Sequence, residues 1–140
     1  MIKKLKFILP LFIVVGGIVA YVMSQPKAPL NIHSAPTEIT VNATNLYADF
    51  ETDETTANAT YAGKVIEVSG LLNAVEQDDK GGYVLNLAAE SPLGQVTCNL
   101  APKEKFSASS TTINQLLTVK GVCTGYLFDV VLDNATIISQ

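Results

Sequence analysis

The chain has 140 residues, 48% apolar and 16% charged, which suits one small domain plus an attachment segment and excludes a multidomain protein or a disordered tail. All thirteen acids lie beyond residue 37 and there is no arginine, so from Lys27 onward six lysines face thirteen acids, a net of −7. Such a body repels phosphate backbones and argues against a dedicated nucleic-acid binder. Two cysteines and one histidine fall short of the four soft ligands of a closed zinc site.

The first 23 residues hold much of the hydropathy. Lys3, Lys4 and Lys6 form a basic head, and Phe7 to Met23 then runs 17 residues without a charge. As a helix that run spans roughly 25 Å, slightly short of a hydrocarbon core of about 30 Å. Lys6 can snorkel at one end and Tyr21 suits the interface at the other. The segment reads as a transmembrane signal-anchor. The competing reading is a cleaved secretory signal, with Val22 and Ser24 as the small residues before the cut. Either way the basic head stays in the cytoplasm and the body is exported, anchored by a single pass with its domain in the periplasm, or soluble in the periplasm or secreted after cleavage. No cysteine follows the run to take a lipid.

Residues 24–41 carry Pro26, Pro29 and Pro36 without periodic apolar positions and read as a semi-extended linker. The lone His33 sits inside it and is expected to be solvated and inert. The folded domain is expected over residues 42–140. It opens with a helical pattern: Ala43, Leu46, Tyr47 and Phe50 share one stripe, and Ala57 and Tyr61 continue its phase. Thr52 or Asp53 can cap a second helix, so one helix or two remain open, and Gly63 is a credible stop. The acids Asp49, Glu51, Asp53 and Glu54 lack calcium-loop spacing and read as a solvated face.

After Gly63 the apolar period becomes two. A long first strand is expected from Lys64 to Val75, with Gly70 placed for a bend; a second carries Tyr83, Leu85 and Leu87, and a third Val96, Cys98 and Leu100. A Ser/Thr-rich connection leads to a fourth strand, Leu116 to Cys123, and a turn at Thr124–Tyr126 to a fifth, Phe128 to Ile138. A long bent first strand and an interruption between strands three and four are the ingredients of a five-stranded OB-fold barrel. The fold expected is therefore mainly β: that barrel, a short helical lead-in and an N-terminal transmembrane helix.

Three separated blocks, Leu46–Gly70, Val96–Leu100 and Val119–Leu132, resemble the tRNA_anti-like family of bacterial OB-fold proteins, as does the plan of anchor or lipoprotein signal, helical lead-in and barrel. The likeness spans roughly residues 42–140. It implies the barrel and an envelope location; it supplies no catalytic or ligand residues.

Cys98 and Cys123 fall on inward positions and are either a disulfide, closing a loop of about 25 residues with roughly 3–4 kcal/mol of stabilisation, or two buried thiols. There is no C-x-x-C and no G-x-S-x-G, and His33 has no evident nucleophile beside it, so no catalytic residue, metal or cofactor is expected. Asp129 and Asp133 share a strand face and read as a solvated edge. The remaining candidates are the OB interaction surface and its loops, Gln77–Gly82 with Tyr83 and Gly125–Asp129 with Tyr126. Tyr83 and Tyr126 are candidate ligand-binding residues, or they pack the barrel rim. The expectation is a membrane-tethered, exported module that binds an envelope protein, a peptide or a small ligand without catalysis; nucleic-acid binding is the alternative.

Overall fold

The computed structural model of the chain describes residues 30–140. The basic head, the apolar run and the start of the linker lie outside the described residues. Among the described residues no helix is long and apolar enough to cross a membrane.

The helical pattern resolves into two helices. In α1 (Ala43–Thr52), Asn42 caps the first turn by accepting the Asn45 N–H at 2.7 Å, and Ala43, Leu46, Tyr47 and Phe50 are all buried. Asp53 stands between the helices in an extended conformation that ends α1. Its carboxylate then starts α2 (Glu54–Tyr61), accepting the Thr56 N–H at 3.2 Å and the Thr56 hydroxyl at 2.7 Å. The Thr56 side chain and backbone bonds hold the Asp53 carboxyl below its ordinary pKa. Gly63, with φ 76°, turns the chain out of α2, and its N–H meets the Cys123 carbonyl at 2.7 Å.

Five strands close a barrel: β2 (Val65–Gln77), β3 (Tyr83–Leu87), β4 (Val96–Leu100), β5 (Leu116–Leu127) and β6 (Asp129–Ser139). Taking β1 as Ile39–Asn42, the sheet order is β1-β2-β3-β4-β6-β5, and β2 pairs again with β5. The first half of β2 pairs with β5 from Val65 to Leu71, and its second half pairs with β3 from Leu72 to Gln77. Gly70, expected to mark a bend or bulge, pairs regularly with Leu117, and the register of β2 shifts instead between Leu72 and Ala74; at Gly70 a Cβ would lie 2.9 Å from that of Ala43. The missing side chain lets α1 settle against β2. A parallel β4–β6 seam completes the circuit, which removes the open strand edges of the barrel. This is the OB-fold arrangement. Its interior is filled by Ile66, Val68, Leu72, Leu85, Leu87, Val96, Cys98, Leu117, Val119, Cys123, Val130 and Leu132, with α1 and α2 contributing Leu46, Tyr47, Phe50 and Tyr61 to the same core.

The stretch read as a linker differs from Leu30 onward. Ile39–Asn42 forms β1, parallel to β2 in register with Ile66–Ser69. Ile32 and Ala35 are buried against Val65 and Val122 on the outer barrel wall, and Asn134 Nδ2 donates to the Leu30 carbonyl at 2.8 Å. The prolines obscured this because they interrupt any periodic signal; the burial comes from two isolated side chains and a four-residue strand.

Candidate functional site

The outer face of β3, β4 and β6 carries a polar chain from Glu76 to Asp129 and a separate Asn99–Asp133 pair. Alternation directs Leu85, Leu87, Val96 and Cys98 inward and leaves Asn86, Thr97 and Asn99 on the outside. Asn86 Nδ2 donates to Glu76 Oε1 at 2.7 Å, and Asn86 Oδ1 lies 3.1 Å from the Thr97 hydroxyl. That hydroxyl also lies 3.2 Å from Asp129 Oδ2, so its single proton is shared between two acceptors. Asp129 Oδ1 accepts the Gln95 N–H at 3.0 Å, and Asn99 Nδ2 donates to Asp133 Oδ1 at 2.6 Å. Asn86, only 2% exposed, is satisfied at both ends of its amide. Three carboxylates are thus fixed by neutral donors and keep spare acceptor capacity toward solvent. No lysine or arginine occurs anywhere in β3, β4 or β6. The surface can accept hydrogen bonds from hydroxyl or ammonium groups and repels phosphates.

Asp129 is therefore tied into this chain and Asp133 is tied to Asn99, so neither is a merely solvated edge. Glu76, Asn86, Thr97 and Asn99 drew no notice in the sequence. The available signal was the choice of amides and a threonine at every other position of β3 and β4.

Tyr83 and Tyr126 are not brought together. Tyr83 starts β3, with its ring 4.9 Å from Phe106 of the β4–β5 connection. Tyr126 lies at the other end of the barrel, level through Val130 with Val96 and Leu87. There it stacks on Phe50, with centroids 5.7 Å apart at 22°, and meets Tyr47 edge-on at 5.8 Å. Both rings pack against the core. Tyr126 fastens α1 to the barrel.

Cys98 and Cys123 are free buried thiols. Each is in register with Leu132, Cys98 from β4 and Cys123 from β5, so β6 runs between them. Two inter-strand spacings put their Cα atoms about 9 Å apart, beyond the roughly 7 Å a disulfide can span. The bridge weighed from the sequence is not formed. Burial pushes the Cys98 thiol up to about 12 and raises that of Cys123, so neither is a nucleophile at neutral pH.

His33 has partners that its place in the linker did not reveal. Its Nε2 lies 3.1 Å from Glu104 Oε2, and its Nδ1 lies 3.4 Å from the Thr136 hydroxyl. The trio resembles a hydroxyl–imidazole–carboxylate relay, but Thr136 is fully buried and its hydroxyl donates to Glu104 Oε1 at 2.8 Å. No substrate can reach that oxygen. The cluster fastens the N-terminal segment to the β4–β5 connection. Among the described residues no three metal-ligating side chains gather into a site.

The loops at the α1 end of the barrel hold a second feature. Gly94 packs against the Phe128 carbonyl, and Tyr47 donates its hydroxyl to that carbonyl at 2.9 Å. These contacts bring the β3–β4 loop beside the β5–β6 turn. Leu93, Leu127 and Phe128 stand out there, 68%, 80% and 78% exposed. Phe128 holds φ 64° in the left-handed region, an uncommon place for a bulky residue. Beside them a hollow of about 550 Å³ opens between Asn73, Glu90, Ser91, Gln95 and Asp129.

No curated protein matches the chain. Among solved structures, it is similar to a lipoprotein from Klebsiella pneumoniae whose name proposes nucleic-acid binding, with a TM-score of 0.57 and 14% identity over 80% of this chain and all of that one. At that identity the likeness concerns the fold. The tRNA_anti-like family model matches residues 1–137, so the chain belongs to the tRNA_anti-like family.

Proposed function

We propose that the protein is a membrane-tethered, exported OB-fold binding module without catalytic activity, whose partner is an envelope protein, a peptide, or a small hydroxyl- or amine-bearing ligand. The observation that carries this reading is the outer face of β3, β4 and β6. OB-folds bind ligands on this wall, and here it presents Glu76, Asp129 and Asp133 held by amides and a threonine, with no cation on those three strands. The tether rests on the charge-free run Phe7–Met23 behind its lysine-rich head. The absence of catalysis rests on the enclosed thiols and on the full burial of the Thr136 hydroxyl beside His33 and Glu104.

The alternative, nucleic-acid binding, draws support from the name of the Klebsiella lipoprotein. A non-specific single-strand groove works through cations and stacked aromatics; this wall has neither, and Tyr83 and Tyr126 are committed to packing. Purification of the full chain in mild detergent followed by native mass spectrometry tests the preferred reading. A stoichiometric retained partner or ligand mass is expected. Repeated recovery of the bare protein would count against it.

A further inference from the structure

The exposed apolar cluster at the α1 end is not part of the wall just described. We infer that Leu93, Leu127 and Phe128, with Glu51 and Glu90 at their edge, form a docking surface for a polypeptide segment that sets apolar side chains beside Lys or Arg. The inference rests on the binding-module reading and names its partner.

Three observations converge. The first is the patch itself. Three large exposed side chains come from two loops that meet where Gly94 seats the β3–β4 loop on the Phe128 carbonyl and Tyr47 binds that carbonyl. Together they leave roughly 400 Å² open, a size at which a surface patch is often functional. The second is charge. Glu51 and Glu90 line the groove between α1 and the β3–β4 loop, with Tyr47, Pro92 and Leu93 between them. The sole ion pair within 4 Å among the described residues is His33–Glu104, so neither glutamate has a cationic partner among them. A segment with a cation next to its apolar anchor supplies one, whereas a second copy of this acidic chain or an anionic lipid surface does not. The third is the position of the N-terminal segment. Leu30, the first described residue, is fixed to Asn134. Asn134 lies six residues along β6 from Phe128, about 20 Å. The described N-terminal segment thus joins the barrel away from the patch.

The test uses the full chain in phosphatidylcholine nanodiscs and a fluorescein-labelled 12-residue peptide of Leu, Lys and Ser, read by polarisation. Control peptides replace Lys by Glu, or Leu by Ser; empty nanodiscs give the lipid background. Saturable binding of the first peptide alone is expected. Because their targets are exposed, L127S/F128S should keep the fold, checked by circular dichroism, and weaken binding at least ten-fold. E90K should weaken it several-fold, while D79K, an equal charge change on the distant β2–β3 turn, should not. Unchanged binding in L127S/F128S, or an equal loss in D79K, overturns the assignment. So does shielding of a fluorophore on F128C from an aqueous quencher without peptide, because the occupant is then the bilayer. Failure of the broader binding-module reading would show itself separately, as saturable nucleic-acid binding, to which this peptide assay is blind.

Discussion

Gly94 is the contact point of three elements, and replacing it with alanine should cost a large share of the stability. An added Cβ would overlap the Phe128 carbonyl oxygen and lie 2.6 Å from the Tyr47 hydroxyl and 2.9 Å from Asp129 Oδ1. The carbonyl belongs to the β5–β6 turn and Tyr47 is buried in the core, so neither can yield cheaply. Overpacking of this kind costs about 1–3 kcal/mol. Losing the Tyr47–Phe128 hydrogen bond adds about 0.5–1.5 kcal/mol. Gly94→Ala is therefore expected to destabilise by about 2–4 kcal/mol, against a total of about 5–15 kcal/mol for such a domain. The chain has five tyrosines and no tryptophan, so urea unfolding is followed by tyrosine fluorescence and far-ultraviolet circular dichroism together. In a Tyr47→Phe background one clashing atom is gone and the hydrogen bond is already lost, so Gly94→Ala should cost about 1 kcal/mol less there. A loss below about 0.5 kcal/mol, or an equal loss in both backgrounds, would refute the packing argument.

Neither cysteine should react with a thiol reagent in the native state, both should label on unfolding without reductant, and reductant should leave the melting temperature unchanged; a mass two daltons low and a reductant-sensitive melt would contradict the register that separates them. Burial raises Cys98 from 9.0 to about 12; burial and Tyr126 raise Tyr47 from 10.0 to about 12, and burial and Asp49 do the same for Tyr61. Each group is held neutral by the fold, so their stabilisation is intact below about pH 9 and fades as pH climbs toward about 12; a melting temperature flat from pH 8 to 11 would contradict it. A C-terminal tag should be lost when protease is added to intact spheroplasts of a bacterial host; protection until lysis would place the barrel in the cytoplasm and overturn the export argument.

The sequence was most legible where a period of two or 3.6 decides which side chains are buried. The α1 stripe and the interior positions of the first four barrel strands follow from that alternation, because a slip of one residue would turn each apolar set outward, whereas the irregularity of β2 fell between Leu72 and Ala74 and not at Gly70. One helix or two could not be decided, since Asp53 serves both as a solvated residue in a continuous helix and as a cap; only its extended backbone separates the two. The linker misled because β1 and the burial of Ile32 and Ala35 depend on contacts with β2 and β5, distant in sequence. The candidate site was the least legible. Hydrogen bonds such as Asn86 to Glu76 and Asn99 to Asp133 require strand register, which alternation does not supply. The disulfide question turned on the same register, because Leu132 stands between the two thiols.

The central claim is that this OB-fold barrel serves a partner other than nucleic acid. It is tested most directly by a polarisation titration of the full chain with single-stranded DNA and with tRNA, from low to physiological salt. With a net of −7 from Lys27 onward and no cation on β3, β4 or β6, no saturable binding is expected even at low salt. Saturable binding that weakens steeply with salt, and is lost when Lys80, Lys103 and Lys105 are changed to glutamine, would contradict the account.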